Sequence, residues 1–284
     1  YNLMSLPSDF QFSQGSLQDY VDCPRRFQLK FIDKLAWPAL EIEPALENEN
    51  HIKQGAIFHH LVQQFLLGVS VEKLSLLAET DIKLIRWWNN FLSSLAVLEG
   101  LEYSSGSNRF PELDLSVEIG DYRLTGKFDL LLLYEDEFII YDWKTTRTQP
   151  KREWVQAKLQ TRVYPYLLQQ AGSHLNNGNP ISPFNIRMIY WYANFPTSPL
   201  EMNFNENHLK EDQRYIFQLV KEIQQLTDNS FPMTENINRC KFCTYRSLCN
   251  RGTKAGSFEE IEDFENQELN DFSLDFEQIA EIEY

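Results

Sequence analysis

The chain has 284 residues, 43% hydrophobic and 14% aromatic, enough apolar mass for a substantial core, so fibrous and wholly disordered classes are excluded. Its 26 Lys and Arg against 41 Asp and Glu give a formal net charge of −15, which on its face argues against a polyanionic partner. No run of 18 apolar residues marks a membrane span, no basic-then-apolar leader marks secretion, and four cysteines are too few for a disulfide scaffold, so a cytoplasmic protein is expected.

Residues 16–35 read as a helix with Ser16 as N-cap. Residues 36–50, with Pro38, Pro44 and several Glu, read as a loop. From Gln54 to Leu67, Ile57, Leu61 and Phe65, with Phe58, Val62 and Leu66 one position on, repeat every four residues and predict a helix with one buried stripe. Residues 71–98 are also helix-like, and Ser104–Asn108 is a break. The period then drops to two. Leu113, Leu115, Val117 and Ile119 alternate with Asp114, Ser116 and Glu118, and Gly120-Asp121 is a two-residue hairpin turn. A second strand runs from Tyr122 through Leu133, Glu135-Asp136 make another turn, and Glu137–Lys144 form a third strand. Residues 152–170 are helical, 184–193 a strand and 206–228 a helix. The expected fold is α/β, one mixed sheet flanked by helices.

The order ends in a tail. Residues 257–284 hold eleven acids and no Lys or Arg, so residues 1–256 carry 26 basic and 30 acidic groups, a net of −4. The expected organisation is one domain over 1–256 with an acidic appendage. The appendage interleaves its acids with Phe258, Phe264, Phe272 and Phe276, and reads as a solvating extension, a docking segment or a DNA mimic. The near-neutral body therefore leaves nucleic acid open as a partner.

In the third strand Asp142 and Lys144 are two apart and share a face, and in the second Asp129 shares one with Arg123, Thr125 and Lys127. Hairpin register can bring Asp129 near Asp142. Two carboxylates with a lysine alongside suit a hard divalent cation such as Mg²⁺, which polarises phosphoryl oxygens and activates water. Spacing alone leaves a second reading open, in which Asp142 and Lys144 are an ion pair and Asp129 is solvated. The apolar surroundings, Leu130–Leu133 and Phe138-Ile139-Ile140-Tyr141, favour paired or metal-bound charges.

Gly126-x-x-Asp129, Asp142-x-Lys144 and Gln160-x-x-x-Tyr164, in that order, resemble the PD-(D/E)XK nuclease pattern. The chain is most similar to the RecB-like branch that includes the AddB nuclease domain and the CRISPR-associated RecB-like exonucleases, whose Gly-x-x-x-His helix is matched by Gly55 and His59. The resemblance implies a restriction-endonuclease-like core over about residues 54–195. It makes Asp129 and Asp142 the carboxylate ligands of Mg²⁺ or Mn²⁺, His59 a further ligand, and the Trp143 carbonyl a completing one. Lys144 becomes the catalytic lysine, with Gln160 and Tyr164 supporting it and the substrate strand. His60 adjoins His59, and only the spacing from Gly55 separates them. Pro165 is expected to kink the helix beside Tyr164. Glu118 is a further polar-face candidate, or simply solvated.

The cysteines form one pattern, Cys23 and then Cys240-x-x-Cys243-x5-Cys249, whose spacing suits zinc or an iron–sulfur cluster. In the RecB-like branch the same order carries a [4Fe–4S] cluster, which implies a helical iron–sulfur subdomain joining the two ends of the chain. Basic residues suited to a phosphate backbone are Arg25, Arg26, Lys30, Lys34 and Lys127, and especially Arg147, Lys151, Arg152, Lys158 and Arg162 near the site. The resemblance implies an exonuclease acting on DNA, with single-stranded ends expected. The other class compatible with these residues is a non-cleaving DNA-binding or scaffold subunit of a repair or helicase–nuclease complex. No P-loop occurs in these 284 residues, so any helicase is expected to be a separate chain.

Overall fold

The computed structural model describes residues 6–35, 45–101, 108–226, 231–241 and 243–252, and the acidic tail lies outside them. Strand β1 (Gln11–Ser13) leads into helix α1 (Gln14–Asp22). Ser13, not Ser16, is the N-cap: its hydroxyl accepts from the Ser16 N–H at 3.1 Å, and the Ser16 hydroxyl accepts from the Ser13 N–H at 2.9 Å. Cys23 is extended (φ −163°, ψ 104°), as the residue before a proline prefers. The helix expected over 16–35 is therefore divided into α1, α2 (Pro24–Phe27) and a π-helical turn at Gln28–Ile32.

Helix α3 (Ala45–Leu66) begins within the expected loop, because Ala45, Leu46, Glu47 and Glu49 are strong helix formers. The 71–98 stretch is two helices, α4 (Val71–Ala78) and α5 (Ile82–Ser94). Asp81 restarts the helix by accepting from the Lys83 and Leu84 N–H groups at 2.8 and 3.1 Å.

The meander forms as expected, β2 (Asn108–Ile119), β3 (Tyr122–Tyr134) and β4 (Glu137–Lys144). Glu135 and Asp136 both have positive φ, the geometry that matches hairpin twist. Helices α6 (Arg152–Ala157) and α7 (Leu159–Ala171) replace a single expected helix, divided where Lys158 turns extended. Pro165 lies inside α7, and the helix continues past it for another six residues to Ala171. Strands β5 (Ile186–Tyr192) and β6 (Leu200–Asn203) and helices α8 (Glu206–Gln225) and α9 (Ile237–Cys240) complete the order. Strands β1 and β6 were not expected: at three and four residues they are too short for an alternation test.

The sheet is mixed. Strand β2 pairs antiparallel along one edge of β3. The other edge is shared, with β1 parallel to residues 123–125 and β4 antiparallel to residues 130–134. Strand β5 is parallel to β4, and β6 antiparallel to β5. Both faces are covered. One core contains Phe12, Leu124, Phe128, Leu131, Ile140 and Tyr190 with α1, α7 and α8, and the other contains Leu130, Leu132, Tyr141, Trp143 and Trp191 with α3, α4 and α5. This explains the unbroken Leu130–Leu133 run, which has no polar face to alternate with. Leu124 and Phe128 face the first core, but Leu130 and Leu132 face the second, so the alternation changes phase at Asp129.

Candidate active site

Strand β4 carries two charges into the interior: Asp142 is 2% and Lys144 4% exposed. The Lys144 Nζ lies 2.9 Å from Asp142 Oδ2, and Gln160 of α7 donates to Asp142 Oδ1 at 2.7 Å. Burying such a pair is costly, and the Gln160 hydrogen bond offsets part of the cost by satisfying the second oxygen. Tyr190, paired with Asp142 in the β4–β5 ladder, exchanges a hydrogen bond with Thr161 at 2.7 Å. Burial, reinforced by Asp142, pushes its phenol well above the ordinary value, so it remains protonated beside Lys144.

The β3–β4 ladder ends at Leu130 and Tyr141; one step further in the same register would set Asp129 beside Asp142. Instead Asp129 Oδ2 accepts from the Trp143 N–H at 2.8 Å. A strand residue sends its N–H and C=O to the same side, so the Trp143 carbonyl also looks towards Asp129. His59 Nδ1 lies 3.4 Å from Asp129 Oδ1, whereas His60 is exposed with Nδ1 3.2 Å from Gln63 Oε1, so the structure separates the two histidines. Helix α3 crosses the end of β4 closely at Gly55, where a Cβ would sit 3.1 Å from Thr145 Oγ1. One helical turn later that approach delivers His59 to Asp129.

Tyr164 stands one turn after Gln160 on α7 but serves the neighbouring strand. Its hydroxyl donates to the Lys127 carbonyl at 2.6 Å and accepts from Gln14 Nε2 at 3.2 Å, so it braces β3. Its ring packs on Phe128 and over Gly126, where a Cβ would meet Leu167 Cδ1 at 2.6 Å and Tyr164 Cε1 at 3.2 Å. Gly126→Ala is expected to lower the unfolding free energy by about 1–3 kcal/mol through overpacking, measurable as a lower urea midpoint.

Arg147 lies on the loop after β4, and Lys151, Arg152 and Lys158 frame α6. Lys151 and Arg152 are exposed, with the Lys151 ammonium 5.7 Å from the Trp154 ring centre. Arg162 is already neutralised by Asp212 at 3.1 Å and lies over the Tyr215 ring. Three further expected cations are committed within the fold: Arg26 and Lys30 to Asp19, and Lys127 to Glu112. Asn194 was not anticipated. It donates to the Thr145 and Thr146 carbonyls and accepts from Arg86 and Trp87, bracing the chain just past Lys144.

Cys23, Cys240, Cys243 and Cys249 line one cavity together with Arg26, Arg239, Arg246 and Arg251. Burial pushes the Cys243 thiol up to about 11, with Arg26 acting in the opposite direction. Four cysteines from both ends of the chain give an all-thiol donor set, the type a thiolate-bound cluster uses, but burial raises the Cys240, Cys243 and Cys249 thiols and the nearby arginines only partly offset it. Among the described residues no group of three or more His, Cys, Asp or Glu is arranged so that it could hold a metal ion. At the carboxylate centre the oxygens of Asp129 and Asp142 are instead taken up by Trp143, His59, Gln160 and Lys144.

A central mixed sheet flanked by helices, with an Asp and a Lys buried at the end of one strand, defines the restriction-endonuclease-like class. The sequence profile of the PD-(D/E)XK nuclease superfamily matches residues 11–250, and the chain belongs to that superfamily. Among solved structures it is similar to a protein of Eubacterium rectale described as a "Putative exonuclease", at 12% identity and a TM-score of 0.50, covering 88% of this chain and 92% of that one. It is also similar to SSO0001, at 15% identity and a TM-score of 0.41, covering 86% and 87%. No curated protein sequence is significantly similar to the chain. Family and fold together support a nuclease. No helix among the described residues is long and apolar enough to cross a membrane.

Proposed function

We propose that the chain is a metal-dependent DNA exonuclease acting on single-stranded ends, with a [4Fe–4S] cluster joining the two ends of its domain. The observation that carries the reading is the buried Asp142–Lys144–Gln160 cluster, one residue from the point where Asp129 grips β4. Burying such a charged pair in a strand interior is costly and is weak evidence for stability, which makes a functional role the better account. Asp129, Asp142, His59 and the Trp143 carbonyl are the donors for Mg²⁺ or Mn²⁺, and their mainly oxygen character fits a hard cation. Bound there, the metal supplies phosphoryl polarisation and a water of lowered pKa. With a cation held by these donors, Lys144, which lies 2.9 Å from Asp142, would be the group to orient the attacking water and to neutralise charge developing on the phosphoryl oxygens. Gln160 fixes the Asp142 carboxylate by its hydrogen bond to Oδ1. Arg147, Lys151, Arg152 and Lys158 track the phosphate backbone. For Arg162 the bond to Asp212 makes a supporting role the better reading.

The cluster reading is supported by the four convergent thiols and their guanidinium surround. Its ligation would contribute folding free energy and no electron-transfer step. The test is anaerobic purification with iron and sulfide analysis, followed by cleavage of end-labelled single- and double-stranded DNA in Mg²⁺ and Mn²⁺. About four irons per chain and metal-dependent shortening of single strands are expected. DNA binding with no cleavage in either metal would instead make the chain a scaffold.

A further inference from the structure

A cavity of about 150 Å³ lies where β6 and helices α6, α7 and α8 meet, and the chemistry proposed above makes no use of it. Met202 and Phe204 give it a buried apolar floor. Its polar wall holds Arg152, Arg162, Glu211 and Asp212, two charges of each sign. A phosphate placed there would face both carboxylates, and a metal ion would face both guanidiniums, so the wall selects neither. It suits a neutral ligand that carries donors and acceptors side by side.

The Arg162–Asp212 pair in this wall has bonding capacity to spare. One bond joins it, Nη1 to Oδ1 at 3.1 Å, whereas a guanidinium and a carboxylate can make two in parallel. Arg162 Nε is buried with no hydrogen-bond partner among the described residues, and the Tyr215 ring, its centre 4.9 Å away, holds the guanidinium in place. Burial raises the Asp212 carboxyl above its ordinary value even with Arg162 and His208 opposing it, so its ionised form is short of donors. Both side chains keep access to the cavity, with 31% of Arg162 and 13% of Asp212 exposed. Among the four DNA bases only guanine sets two N–H donors, N1–H and the 2-amino group, beside an acceptor, O6, on one edge.

We propose that this cavity is a base-recognition pocket for a guanine of the bound DNA strand, with Asp212 accepting from N1–H and the 2-amino group and Arg162 donating to O6. The proposal rests on the reading of the chain as a DNA nuclease and adds a sequence preference to it. The cavity is near enough to the carboxylates for one strand to reach both. Thr161 lines it, directly follows Gln160 and shares a hydrogen bond with Tyr190, the ladder partner of Asp142. Met202 is two strands and two residues from Asp142 along the ladders, roughly 12 Å at sheet spacings. Arg152 stands at the cavity and also among the cations assigned to the phosphate backbone, so a strand that passes it can turn a base inward.

The test measures binding of the full chain, without divalent metal, to labelled single strands of thymine that carry one guanine at successive positions, by fluorescence anisotropy. At one position from the end the guanine should raise affinity by about tenfold over thymine alone, the scale of one good base contact. Inosine at that position lacks the 2-amino group and should keep less than about threefold of the gain. In Asp212→Asn, which is isosteric but sets an amide against the guanine donors, the guanine and all-thymine strands should bind within about twofold of each other. Equal affinity for all strands, a preference for another base, or a guanine preference that persists in Asp212→Asn overturns the proposal. If Asp212→Asn does not fold, the inosine comparison decides with the wild type alone, and inosine binding as tightly as guanine overturns it. A chain that binds none of the strands and cleaves no DNA overturns the nuclease reading too, whereas cleavage without base preference overturns the pocket alone.

Discussion

Asp142→Asn should reduce kcat for metal-dependent DNA cleavage by about 10³-fold, equivalent to about 4 kcal/mol of transition-state stabilisation. The asparagine is isosteric and retains an acceptor for Gln160, but it removes the negative charge that a divalent cation and Lys144 both require. Asp142→Ala should abolish cleavage too, with a complication: Lys144 would then lose the carboxylate 2.9 Å away while remaining 4% exposed. An uncompensated buried charge costs about 3–5 kcal/mol, so the alanine variant should also unfold at clearly lower urea. Comparing the two variants separates loss of chemistry from loss of fold. In both, the iron absorbance should persist at low denaturant. Cleavage by Asp142→Asn at the wild-type rate would sink the assignment of this carboxylate.

On the proposed cluster reading, Cys240→Ser should release the cluster and lower the unfolding free energy by at least about 3 kcal/mol. At this chain length that is a drop of at least about 6 °C in Tm. Several contacts that join the chain ends need no cluster: Arg239 to the Asp22 carbonyl and carboxylate, the Arg25 N–H to the Pro232 carbonyl, and Tyr245 to the Leu35 carbonyl. The variant should therefore remain folded at low temperature, with its iron lost. Calorimetric melting and colorimetric iron analysis check both halves. An unchanged Tm with iron still bound would remove Cys240 from the ligand set.

The meander was legible because period-two alternation and the turn residues Gly120-Asp121 and Glu135-Asp136 are local signals. The spacing of Asp142 and Lys144 is local in the same sense, and it anticipated their contact. Helix divisions at Cys23, Asp81 and Lys158 were missed because amphipathic patterning runs across a one-residue break. Helix α7 runs through Pro165, the residue at which a kink was expected, since it is buried and tertiary packing outweighs the lost hydrogen bond. The loop expected through Asn50 gave way to α3, because the helix propensity of its Ala, Leu and Glu residues outweighs the proline and acidic composition around them. Arg26, Lys30 and Lys127 looked available for a phosphate backbone because composition says nothing about which carboxylates lie nearby in space.

The amino-acid sequence by itself determined the α/β class, the order of its main strands, the acid–lysine strand and the fourfold cysteine pattern, all of which are properties of short windows or of ordered motifs. Only the tertiary structure decided that His59 rather than His60 meets Asp129, that Tyr164 holds β3, and that strand alternation changes phase at Asp129. It alone also brought Arg162 and Asp212 together in the wall of the cavity at β6. The physical reason is distance along the chain. Periodicity reports which face of an element is buried, whereas a hydrogen bond from Gln18 to Leu159 or from Arg239 to Asp22 joins residues no window spans, and it exists only once both faces have packed.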